Sequence, residues 1–307
     1  MRLVQHKKEA YWFYSFLSIF YDNYVNPFFW NARMRDEALT LARLDDPSLD
    51  TLDAGAGTGF TTEGIVAHID PAHVTCLDQS PHQLARARAK SALGGCTILE
   101  GDAEDLPFPT DRFDRYVSAG SIEYWPDPQR GIAEAYRVLK PGGVALMVGP
   151  LRPETPLARA VADAWMLFPE EEAYERWFRD AGFTSIRKQY VAPTWVRRER
   201  YGIAISGVKP KAGPSPLPQD SRQLERLHAP ADAGRILTLV GRLALGSIAG
   251  FLFIPAAMIG QARAGLERRF GRRTTPVDPI PPRQAVGVAV FVAVASAVLL
   301  TLFRRRR

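Results

Sequence analysis

The chain has 307 residues, 46% of them hydrophobic and 23% charged, which suits one sizeable α/β domain with additional elements. Its formal net charge of +6 gathers late in the sequence, in Arg263, Arg268, Arg269, Arg272, Arg273 and Arg304 to Arg307, beside long apolar runs. That setting points to a membrane surface and away from nucleic acid. Two cysteines, Cys76 and Cys96, with no CxxC pair or His/Cys cluster, argue against structural zinc and against a disulfide framework. Both lie in strand-like apolar stretches and read as buried reduced thiols.

Residues 1–44 are rich in aromatic side chains, among them Tyr11, Trp12, Phe13, Phe20, Tyr24 and Trp30. Most of the segment is compatible with helix, broken at Pro27, and is expected to form an N-terminal helical lid. Lys7, Lys8, Glu9 and Asp22 interrupt it, so it does not read as a signal peptide, and the catalytic domain is expected on the cytoplasmic side of a membrane.

Residues 45–209 alternate short apolar runs with helical patterns. Strands are predicted at Thr51–Ala54, Val74–Asp78, Thr97–Glu100, Arg115–Ser118 and Val144–Val148, with Ile186–Val191 and Gly202–Val208 closing the series. Helices are predicted at Thr61–His68, Pro81–Ser91, Pro128–Leu139, Ala158–Phe168 and Glu170–Ala181. Such alternation gives a parallel sheet covered by helices. The proline-rich residues 210–234 read as a linker. Residues 235–307 read as a membrane-anchoring region with apolar runs at 243–260 and 285–303, the second long enough as a helix (roughly 28 Å) to span a bilayer.

The strongest chemical signal is Asp53-Ala54-Gly55-Ala56-Gly57-Thr58-Gly59, directly after the first predicted strand. Glycines there allow a tight turn and close approach of backbone to a ligand. The spacing differs from the GxGxxG of dinucleotide-binding folds. Asp78 ends the second strand, where a carboxylate can accept hydrogen bonds from both hydroxyls of a ribose. Gly101 to Phe108 follows the third strand, where a side chain can meet an adenine edge, and Arg137 to Gly143 joins a helix to the fifth strand.

In order and spacing these motifs resemble the class I S-adenosylmethionine methyltransferases. The resemblance implies a Rossmann-like, doubly wound, mostly parallel seven-stranded sheet, with an N-terminal helical lid and C-terminal membrane helices. It also implies S-adenosylmethionine as cofactor. Gly55, Gly57, Thr58 and Gly59 would cradle the methionine part, with Asp53 near its ammonium group. Asp78 would hold the ribose, and Asp102 and Ala103 the adenine. Ala119 stands where related quinone methyltransferases often carry a serine, which Ser118 or Ser121 would replace.

A closer resemblance rests on residues 6–14, Leu77 to Leu84, Ser118 to Gly131 and Ala164 to Pro169. These stretches are similar to the plant-type 2-methyl-6-phytyl-1,4-benzoquinol and 2-methyl-6-solanesyl-1,4-benzoquinol methyltransferases. That family methylates a ring carbon of a prenylated quinol on the way to tocopherol and plastoquinol. It implies a prenylated quinol and the lipid bilayer as partners, and a phenol that must lose its proton. Glu123, after the fourth strand, is the first candidate base, with His6 and Asp22 as weaker ones. Alternatives are a methyltransferase for another lipid, such as demethylmenaquinol or a sterol, and a membrane protein that binds the cofactor without catalysis.

Overall fold

A computed structural model describes residues 29–156, 158–159, 162, 167–196, 200–217 and 259–271. Seven strands form one sheet: β1 (Thr51–Ala54), β2 (Val74–Asp78), β3 (Thr97–Glu100), β4 (Phe113–Ala119), β5 (Leu139–Pro150), β6 (Thr184–Val191) and β7 (Gly202–Val208). Their order is β3-β2-β1-β4-β5-β7-β6. The first five run parallel, and β7 lies antiparallel to both β5 and β6. The α-helices of the sheet domain include α1 (Ala32–Leu39), α2 (Phe60–Ile65), α3 (Pro81–Arg88), α4 (Pro128–Val138) and α5 (Glu171–Asp180). The doubly wound architecture expected from the sequence is present.

Strand alternation sorts the core into two layers. Tyr116, Ala145, Met147, Ile203 and Ile205 meet α4 and α5 through Ile132, Tyr136, Tyr174 and Phe178 on one face. Their strand neighbours Val117, Leu146, Val148 and Ala204 meet Met34, Ala38 and Leu39 of α1 and Ile65 of α2 on the other. Cys76 belongs to this second layer, and both cysteines are free thiols.

Helix starts follow side-chain caps. Asn31 Oδ1 accepts from Met34 N–H, Ser80 Oγ from Gln83 N–H, and Asp127 Oδ1 from Arg130 N–H, each satisfying an otherwise unpaired amide. Pro81 and Pro128 stand in the first turns of α3 and α4, where no amide donor is needed.

Several boundaries differ from expectation: α2 and α3 end at Ile65 and Arg88, short of His68 and Ser91, and β6 begins at Thr184, before Ile186. β4 and β5 extend to Phe113–Ala119 and Leu139–Pro150, because the Lys140-Pro141-Gly142-Gly143 turn is drawn into the sheet. Gly142 N–H donates to Lys209 O (2.8 Å) and Lys209 N–H to Gly143 O (2.9 Å). The helix expected at Ala158–Phe168 lies largely outside the described residues, and residues 167–168 are not helical.

The segment expected to be a linker begins docked on the domain. Gly213 N–H donates to Asp111, and Ser215 Oγ donates to Ala181 O. Lys209 fixes this corner: its side chain is wholly buried, and Nζ donates to Asp111 Oδ1 (2.5 Å), Gly213 O (2.7 Å) and Arg137 O (3.2 Å). The ammonium also lies 4.8 Å from the centre of the Tyr136 ring.

Residues 1–28 of the expected lid and the apolar runs 243–260 (apart from residues 259 and 260) and 285–303 lie outside the described residues. Among the described residues no helix is long and apolar enough to cross a membrane, so the expected C-terminal membrane helices gain no support. Residues 259–269 form a helix against Trp195; a Cβ on Gly260 would lie 2.8 Å from that indole.

Because three acceptors converge on one buried ammonium, Lys209→Met is expected to lower unfolding stability by about 2–4 kcal/mol. Urea denaturation checks this; a loss below about 1 kcal/mol would show that the ammonium is dispensable there.

Candidate active site

The sheet reverses winding direction between β1 and β4, which are neighbours although β2 and β3 separate them in sequence. Loops leaving their carboxyl ends diverge and open a crevice there. A cavity of about 500 Å³ occupies it, and its wall includes Gly55, Gly57, Thr58, Asp78, Asp102, Ala103, Ala119 and Glu123. Eight of the ten residues singled out from the sequence therefore share one wall; Asp53 and Gly59 stand behind it.

Gly55, Gly57 and Gly59 all have positive φ (73°, 55° and 78°), the region that favours glycine. Each serves differently. A Cβ on Gly55 would lie 2.2 Å from Ser121 Oγ, so this glycine lets the loop after β1 touch the loop after β4. On Gly59 it would strike Leu93 at 2.4 Å, so this one admits packing behind the site. On Gly57 it would meet nothing within 4 Å, so the backbone there borders open space fit for a ligand.

Asp78 locks the loop in place. Its Oδ2 accepts Gly57 N–H and its Oδ1 accepts Ser80 N–H, both at 2.9 Å. Ser80 in turn caps α3, whose third residue, Gln83, reaches the cavity wall with 3% of its surface exposed. Across from it, Asp102 Oδ1 accepts Glu104 N–H (2.9 Å) in a tight turn. Glu104 ties that turn to α4: its Oε1 accepts Asp127 N–H (2.6 Å), and its carbonyl accepts Arg130 Nε–H (2.7 Å). These contacts fit the nucleoside of the expected cofactor, because Asp78 and Asp102 are held in place by the chain's own backbone amides.

Beyond Ala119 the chain turns at Gly120 (φ 67°) and Ser121, whose Oγ accepts Trp125 Nε1–H (2.8 Å). Ser118 is buried and off the wall, whereas Ser121 is on it. The next turn places Glu123 on the wall at 9% exposure, with Oε2 buried and without a hydrogen-bond partner among the described residues. Burial alone drives its pKa up to about 7. Asp53, at the end of β1, is fully buried; Oδ2 accepts Thr62 Oγ1–H (2.7 Å) and Oδ1 has no hydrogen-bond partner among the described residues. Burial pushes its pKa up to about 7 also, with Asp78 adding repulsion against the Thr62 hydrogen bond.

The other end of the cavity is aromatic and apolar, with Phe29, Trp30, Met34, Phe168, Trp195 and Tyr201 on its wall. Trp195 is packed edge-on by Phe29 (5.8 Å between centres) and Tyr201 (6.3 Å). Arg200 stands at this end, held by Glu171 Oε2 (2.6 Å) above the Tyr190 ring. Sequence reasoning missed Gln83, Trp195 and Tyr201. Gln83 did carry a signal, a polar residue on the buried stripe of α3 with Leu84 and Ala87. Trp195 and Tyr201 carried none, since loop contacts have no periodicity. His6 and Asp22 lie outside the described residues.

Two outcomes follow from this geometry. Gly57→Ala is expected to cost about 1 kcal/mol of stability but to weaken S-adenosylhomocysteine binding at least about tenfold, since the added methyl enters the cavity. Calorimetric titration alongside thermal unfolding separates the two effects; equal affinity would mean that no ligand lies over Gly57. Glu123 has a higher pKa in the folded chain (about 7) than its ordinary 4.5. Its protonation therefore favours folding fully below pH 4.5, and that contribution is lost as pH rises through 7. Glu123→Gln is accordingly expected to raise stability by about 2–3 kcal/mol at pH 8 and by little at pH 5, read from melting at both pH values.

Comparison with known proteins agrees with this architecture. A sequence model for the family described as "Methyltransferase domain" matches residues 52–147. The chloroplastic 2-methyl-6-phytyl-1,4-hydroquinone methyltransferase 2 of Oryza sativa subsp. japonica is 54% identical over 84% of this chain and 75% of its own length. The chloroplastic enzyme of Arabidopsis thaliana with the corresponding name is 53% identical over 84% of this chain and 77% of its own. Among solved structures, a possible histamine N-methyltransferase of Thermotoga maritima has the same fold, with a TM-score of 0.51 and 22% identity over 65% of this chain and 99% of that one.

The expectation of a membrane-anchored domain on the cytoplasmic side is overturned: these relatives are chloroplastic proteins, and no described helix is long and apolar enough to cross a membrane. The lipid bilayer expected as a partner loses its support with it. A glycine loop backed by Asp78, the reversal between β1 and β4, and identity at more than half of the aligned positions place the chain in the 2-methyl-6-phytyl-1,4-hydroquinone methyltransferase family, as an S-adenosylmethionine-dependent methyltransferase.

Proposed function

We propose that the protein methylates a ring carbon of a prenylated benzoquinol of the 2-methyl-6-phytyl or 2-methyl-6-solanesyl type, as a step in tocopherol- or plastoquinone-like quinone synthesis. The names of the rice and Arabidopsis relatives support this acceptor. The observation that carries the reading is Glu123, a buried carboxyl with a pKa near 7 on the wall of a cavity whose other end is aromatic.

When bound, S-adenosylmethionine supplies a sulfonium methyl group to a nucleophilic carbon. The chain's own residues then have three tasks. Asp78 holds the ribose hydroxyls, Asp102 and Ala103 flank the adenine, and Gly55, Gly57 and Thr58 leave room for the methionine part. Asp53 and Gly59 act from behind the wall, Asp53 by bracing α2 through Thr62. Phe29, Trp30 and Trp195 receive the flat quinol ring and keep water from it, with Ala119 and Ser121 bordering the space between the two ligands.

Glu123 takes the proton from the ring hydroxyl next to the carbon that is methylated. Loss of that proton places charge on the ortho carbon, and a base with a pKa near the working pH is well matched to the transfer. The ring hydrogen displaced by the new carbon–carbon bond leaves as a proton to solvent, and the ring oxygen regains its proton from Glu123, which restores both the aromatic quinol and the base.

The test is methyl transfer from labelled cofactor to reduced 2-methyl-6-phytylbenzoquinol by the full chain in mixed lipid micelles, with mass spectrometry to locate the methyl group. Ring methylation supports the proposal. Activity on demethylmenaquinol alone, or methylation at oxygen, overturns it. Glu123→Gln is expected to lower turnover roughly a hundredfold or more. In the wild type, turnover should climb as pH rises through about 7. An unchanged rate in the variant would remove Glu123 from this role.

A further inference from the structure

We infer that Gln83 is a cofactor-binding residue, its side-chain carbonyl accepting a hydrogen bond from a ribose hydroxyl beside Asp78. The inference rests on the cofactor alone and is independent of the acceptor proposed above.

Gln83 is 3% exposed, lines the cavity, and its Oε1 has no hydrogen-bond partner among the described residues. Buried polar atoms are nearly always paired, and one on a cavity wall is most simply paired by what fills the cavity. Its backbone is not free to adjust. Gln83 N–H donates to Ser80 Oγ (3.4 Å), and Ser80 N–H donates to Asp78 Oδ1 (2.9 Å). The amide side chain is thus built on the same short segment that sets the Asp78 carboxylate, five residues earlier on the same sheet edge.

An amide carbonyl accepts only, so its missing partner must be a donor. The nucleoside offers two kinds, ribose hydroxyls and the adenine amine. Asp102, beyond the end of β3, stands on the adenine side, whereas Gln83 shares its anchoring with Asp78. The anchoring it shares with Asp78 points to the ribose. Of the other wall residues at this end, Leu77, Gly101 and Ala103 bring no polar side chain, and Gln79, next to Asp78, brings a second amide, so the Gln83 variants are compared with Gln79→Met in the same titrations.

The test is calorimetric titration of the full chain with S-adenosylhomocysteine, its 2′-deoxy and 3′-deoxy forms, and S-inosylhomocysteine, which lacks the adenine amine. Gln83→Met keeps the length of the side chain and removes the carbonyl. It is expected to weaken S-adenosylhomocysteine binding by about five- to twentyfold, as for one net hydrogen bond to a buried acceptor. That loss should disappear with one of the deoxy ligands and persist with the inosyl one. A merely structural role for Gln83 would weaken all four ligands alike. Affinity within twofold of wild type, equal losses across the four ligands, or a loss that vanishes only with the inosyl ligand would each overturn the assignment. Gln83→Leu, carried through the same titrations, guards against a fault particular to the methionine.

Discussion

Two loops that the sequence separates by more than sixty residues touch at Gly55 and Ser121, and the site depends on that contact. A side chain on Gly55 would overlap the Ser121 hydroxyl, so the loops after β1 and β4 can close over the sheet edge only because one of them has no Cβ there. From this contact the remaining placements follow. The loop after β1 is low enough for Asp78 to grip Gly57, and the loop after β4 can turn Glu123 onto the same wall. Trp125, donating to Ser121, holds the second loop against the start of α4. There Gly131 leaves space for the indole, since a Cβ would lie 2.4 Å from its ring.

Around this constraint the molecule retains costs that a purely structural design would remove. Asp53 and Glu123 are both buried carboxyls, each with an oxygen that has no hydrogen-bond partner among the described residues. Isolated buried acids are unfavourable in their charged form, and folds keep them mainly where chemistry needs them. Apolar burial offsets them, most heavily on the face covered by α4 and α5, where Tyr116, Tyr136, Phe113 and Phe178 are almost wholly enclosed. Polar clamps confine the disturbance. Glu134 and Arg137 bind the backbone of the segment after β3, and Tyr174 Oη donates to Pro150 O (3.0 Å) beneath the aromatic end.

Much of this was legible in the amino-acid sequence, and the physical reasons differ by element. Thr51–Ala54, Val74–Asp78, Thr97–Glu100 and Gly202–Val208 coincide with the expected strands because each is a short apolar run bounded by turn residues or helix starters. β5 begins earlier than its apolar core, since pairing with Lys209, some seventy residues away, recruits a glycine turn that looks like a loop on its own. The position of Glu123 on the wall was also legible, because it follows the fourth strand at the reversal of the sheet. That Asp53 stands behind the wall was not, for the end of a strand indicates an edge but not which side chain the next loop covers. Gln83 was passed over since a polar residue in a helix reads as surface until its face is known. The docking of residues 211–217 was hidden for the same reason: proline and glycine mark irregular chain, and only the partners Asp111 and Ala181 reveal that it is packed.

The grip that Asp78 shares with the glycine loop has a further consequence, for the order of events in a catalytic cycle. In the proposed placement, the groups at the nucleoside end would face parts of the cofactor that are identical before and after the methyl group leaves. Contacts of that kind bind the spent cofactor as firmly as the fresh one, and contribute to recognition without lowering the chemical barrier. Asp78 is held by two backbone amides, so its carboxylate would meet both forms of the cofactor in the same position. Release of S-adenosylhomocysteine would then be the step that this end of the site opposes.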